Sequence, residues 1–96
     1  MKLENAELGY SCVVPDRPTV RQQLTFFAIV GSSNTEKFAL YWEGAKALVS
    51  EWQCPALPDI TASLDEISNP TQTRIVIDLG LRVVQHMNSL EDIDPN

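Results

Sequence analysis

A chain of 96 residues has material for a single core, and its 44% hydrophobic and 21% charged residues exclude a disordered tail. Thirteen acidic residues against seven basic ones leave a net charge of −6, with the lysines and arginines standing singly, so a phosphate-binding surface for nucleic acid is not expected. No stretch approaches the ~20 apolar residues of a membrane span, and no apolar run follows Met1-Lys2-Leu3-Glu4-Asn5, so the expectation is one cytosolic domain over residues 1–96.

Residues 1–17 read as an irregular N-terminal segment. Within it Tyr10-Ser11-Cys12-Val13-Val14 supports a short strand, which Pro15 ends. Pro15-Asp16-Arg17-Pro18 is then a turn or extended stretch. The first helix is expected from about Thr19 to Gly31. Thr19 and Gln22 form a capping box, in which each side chain satisfies the other residue's orphan amide. Val20, Leu24, Phe27 and Gly31 make its apolar stripe.

The second helix is expected to cover at least residues 37–51. Ser33 with Glu36 offers another capping box, or Asn34 caps one residue later. Phe38, Tyr41, Trp42, Ala45, Leu48, Val49 and Trp52 then recur at steps of three and four. Glu43, Ala47, Ser50 and Glu51 lie opposite, and Cys54-Pro55 ends the pattern. Trp42 and Trp52 fall on the core stripe and read as core residues before interface anchors. Residues 54–69 read as a packed loop pinned by Leu57, Leu64 and Ile67, with a helical turn around Ser63–Ile67.

The third element carries two conflicting signals. Asn69-Pro70 with Gln72 is a helix start, and Val76, Leu79, Val83, Met87 and Leu90 form a helical stripe. Yet Ile77 to Val83 alternates as a half-buried strand does. About twenty residues without a stop signal favour the helix, since strands usually end after five or six. The fold class expected is therefore all-α, a small three-helix domain. The alternative is α+β with residues 75–83 as a strand.

The chain resembles the tail assembly chaperones of long, non-contractile-tailed bacteriophages. The likeness rests on Pro18-Thr19-Val20-Arg21-Gln22-Gln23-Leu24, on Tyr41-Trp42 followed by Ala45, Leu48 and Trp52, and on Gln85-His86-Met87-Asn88-Ser89-Leu90. It covers roughly residues 18–90. The resemblance implies an all-helical, non-enzymatic domain in the host cell cytoplasm, absent from the mature virion. It implies as partners the phage tape measure protein, kept soluble until the tail tube polymerises, and the major tail protein through a frameshifted longer form. The acidic tail, residues 91–96, suits a chain that continues, and a frayed terminus explains it equally well.

No constellation of residues points to catalysis, a cofactor or a metal. His86 is the single histidine and reads as a partly buried structural imidazole. Asp65 and Glu66 read as a solvated turn, and Gly44 and Gly80 as places where helices approach closely. Cys12 and Cys54 read as reduced thiols, with a disulfide left open. Partner-binding candidates are the apolar residues off the core stripes: Phe26 and Ile29 on the first helix, and Ile77, Leu81 and Val84 on the third. A helix with two apolar faces is either central in the fold or offers one face to another chain, including a second copy of itself. The competing function is a small acidic phage-encoded inhibitor that mimics nucleic acid on a host protein.

Overall fold

The computed structural model describes the backbone of residues 1–31 and 36–92 and the side chains of residues 1–31 and 36–89. In chain order the elements are β1 (Lys2–Asn5), β2 (Tyr10–Val13), α1 (Val20–Val30), α2 (Lys37–Lys46), β3 (Ser50–Gln53), a 3-10 turn (Leu64–Glu66) and α3 (Pro70–Asp92). The three strands form one antiparallel sheet in the order β1-β2-β3. The fold is therefore α+β, which overturns the all-α expectation and agrees in class with the alternative. Residues 75–83, however, are helical within α3, and the strands lie elsewhere. The alternation over Ile77–Val83 arises because two apolar stripes share one helix. Ile75, Leu79 and Val83 are buried on one side, while Ile77 and Leu81 lie on another.

The second helix is shorter than its apolar spacing suggests. After Lys46 the amides of Ala47, Leu48 and Val49 bond back to the carbonyls of Gly44 and Ala45, closing the last turn. The chain then straightens into β3, which pairs with β2, so Trp52 reaches the core from a strand. Backbone pairing with β2 prevails over a helical pattern that Leu48, Val49 and Trp52 would also have satisfied. The pairing is irregular. Ser11 lies opposite Gln53 and Val13 opposite Ser50, so β3 takes three steps where β2 takes two. Glu51 absorbs the extra residue in the left-handed region, at φ 50°.

The core is one cluster. Tyr10, Cys12 and Val14 enter it from β2 and its end, Phe26 from α1, Trp42 and Ala45 from α2, and Ile75, Leu79, Val83 and Met87 from α3. Helix α2 is the common neighbour, packing against both α1 and α3. The two helical glycines sit at those two contacts, as their sequence reading expects. A Cβ on Gly44 would stand 3.0 Å from the Phe26 ring and from Val30 Cγ2. One on Gly80 would stand 3.0 Å from Tyr41 Cβ and 3.3 Å from the Trp42 amide nitrogen.

Helix α1 starts as expected: Gln22 N–H donates to Thr19 Oγ1, and Thr19 N–H donates to Gln22 Oε1. Its buried face is only partly the expected one, since Phe27 of the expected stripe packs against the core but Val20 and Leu24 do not. Val20 and Leu24 are 71% and 66% exposed, whereas Phe26 is 1% exposed. Phe26 and Val30 meet Gly44, with Phe27 edge-on to Phe26, so the helix turns its aromatic side to α2. Burying aromatic rings removes more apolar area than burying Val20 and Leu24 would. The capping residues proposed for the second helix, Ser33 and Asn34, lie outside the described residues, as do residues 93–96 of the acidic tail.

Candidate functional site

An apolar concavity lies where the start of α2, the 3-10 turn and the first half of α3 meet. Phe38 and Ala39 line it from α2, Leu64 and Ile67 from the turn, and Thr73, Val76 and Ile77 from α3. Its volume is about 240 Å³, below the roughly 300–1,000 Å³ of a typical small-molecule site but enough for one large apolar side chain. No titratable side chain lines it, so what it offers chemically is removal of apolar surface from water.

Its walls are held in place by polar contacts behind them. Asn69 caps α3, its Oδ1 accepting from Thr71 N–H at 2.7 Å and its carbonyl from Thr73 N–H at 3.0 Å. Ser63 Oγ accepts from Asp65 N–H and sets the turn that presents Leu64 and Ile67. The preceding loop is tied down twice. Trp52 Nε1 donates to the Leu57 carbonyl at 2.7 Å, and Gln72 Nε2 donates to the Ala56 carbonyl at 2.8 Å. Phe38 is 50% exposed and rests edge-on against Tyr41.

The sequence-derived candidates divide between this site and the interior. Ile77 lines the groove, and Leu81, one turn further along the same face of α3, is 37% exposed. Val84 is half-buried and packs against the core. Phe26 is a core residue wedged against Gly44, so it presents no surface to a partner. Ile29 is half-buried on α1, which packs on α2, so neither α1 residue joins the groove. Leu64 and Ile67 pack against the core as expected while also lining the groove, whereas Phe38, assigned to the core stripe by its spacing, is half-exposed. Spacing likewise assigns Val20 and Leu24 to an apolar stripe, yet both are exposed.

A polar cluster away from the groove ties the N-terminal strands to α3. Asp78 Oδ2 accepts from the Tyr10 hydroxyl at 2.5 Å and from Asn5 Nδ2 at 3.1 Å, and pairs with Arg82 Nε at 3.1 Å. Arg82 Nη1 also donates to the Glu4 carbonyl at 3.0 Å, so this group fastens the β1–β2 hairpin to α3. Burial, then the bond to Asp78, pushes the Tyr10 hydroxyl far above its ordinary value, which keeps its proton in that bond. His86 Nε2 lies 2.9 Å from the Pro15 carbonyl and joins α3 to the end of β2. Asp65 and Glu66 are exposed.

Cys12 and Cys54 are both free and buried. Tyr10 and Cys12 face the core from β2, and Cys54 joins the same core just after β3. Tyr10 of β2 stacks on Trp52 of β3, with ring centroids 5.6 Å apart.

No family model matches the chain, and no curated protein and no solved structure is similar to it.

Proposed function

We propose that this chain is a non-enzymatic binding protein that covers an apolar helix of an elongated partner, acting as a tail assembly chaperone that holds a phage tape measure protein before the tail tube polymerises. The observation that supports this reading is the apolar groove with half-exposed Phe38 at its lip and Ile77 on its wall. A helix laid along α3 sets one apolar side chain into the groove and covers Leu81 one turn further on. Such capture needs no nucleotide. The complex forms in the host cell cytoplasm by mass action and withdraws sticky segments from aggregation.

The test is co-expression of the chain with a tape measure protein, followed by titration of the purified pair. Docking that buries the exposed half of Phe38 removes about 100 Å² from water, worth roughly 2 kcal/mol. Phe38→Gln is therefore expected to weaken the complex about thirtyfold. Unchanged affinity in this variant, with the fold intact, refutes the groove as the docking site. Binding that collapses as salt rises refutes apolar capture and favours the acidic inhibitor of a host nucleic-acid-binding protein.

A further inference from the structure

No further inference is drawn: the strongest candidate, the exposed Val20 and Leu24 stripe on the outer face of α1, is an unpartnered apolar face, and nothing in the structure shows what covers it.

Discussion

Replacing Gly80 with alanine tests the packing of α3 on α2. In an isolated helix the change stabilises, because alanine is favoured over glycine by about 1 kcal/mol. Here the added methyl would stand 3.0 Å from Tyr41 Cβ and 3.3 Å from the Trp42 amide nitrogen, against the ~3.5–4.0 Å that carbon contacts prefer. Those neighbours belong to or adjoin the α2 backbone, so no rotamer change makes room. The helices must part by several tenths of an ångström, loosening Trp42 and Leu79, both fully buried. Overpacking of this kind costs about 2–3 kcal/mol, leaving a net loss of about 1–2 kcal/mol after the propensity gain. For a chain of this size the melting temperature should fall by roughly 5–10 °C. Urea denaturation followed by circular dichroism measures the change directly, with the slope unchanged and the midpoint lowered. A Gly80→Ala protein that is more stable than its parent by the full propensity gain would show that α2 and α3 do not meet at this point.

Three further outcomes are expected. Trp42→Ala opens a cavity beneath α2 and should cost about 3–5 kcal/mol, removing most of the folded population; a well-dispersed amide NMR spectrum at ambient temperature would contradict that. Glu51→Gly relieves a left-handed backbone at φ 50° and should raise the urea midpoint by the equivalent of about 0.5–1 kcal/mol, whereas a lowered midpoint would mean that the bulge is not strained. Burial raises the Cys12 thiol from 9.0 to about 11, so the unfolded chain loses this proton first and stability falls as pH rises between those values. The fall should reach about 2 kcal/mol more in the parent than in Cys12→Ala, and parallel pH profiles for the two would refute the assignment.

Features written in local chemistry were legible in the sequence. The Thr19–Gln22 capping box, the Asn69-Pro70 start of α3 and the strand ended by Pro15 each depend on residues a few positions apart, and each forms. The buried stripe of Val76, Leu79, Val83 and Met87 also follows its spacing. What failed depends on partners far along the chain. Nothing within residues 47–53 states that β2 lies alongside to receive β3, so an apolar pattern compatible with helix was extended through Trp52. Likewise, Val20 with Leu24 and Phe26 with Val30 are both acceptable stripes for α1. The choice between them is made by Gly44, whose missing side chain accepts the Phe26 ring. The candidate site was half visible for this reason. Ile77 and Leu81 stood out as apolar residues off the core stripe, while the opposite wall of the groove is supplied by a loop that spacing rules do not position.

Glu51 also bears on how many copies of this chain can be crowded together. Strand β3 is an edge of the sheet, and a regular edge offers an open row of amides and carbonyls to any passing strand. Its bulge breaks that row within four residues and leaves an exposed carboxylate beside the break. A second molecule approaching edge to edge meets a ladder out of step and a charge it must desolvate. The same local kink that costs folding energy therefore disfavours growth of a sheet from one molecule to the next.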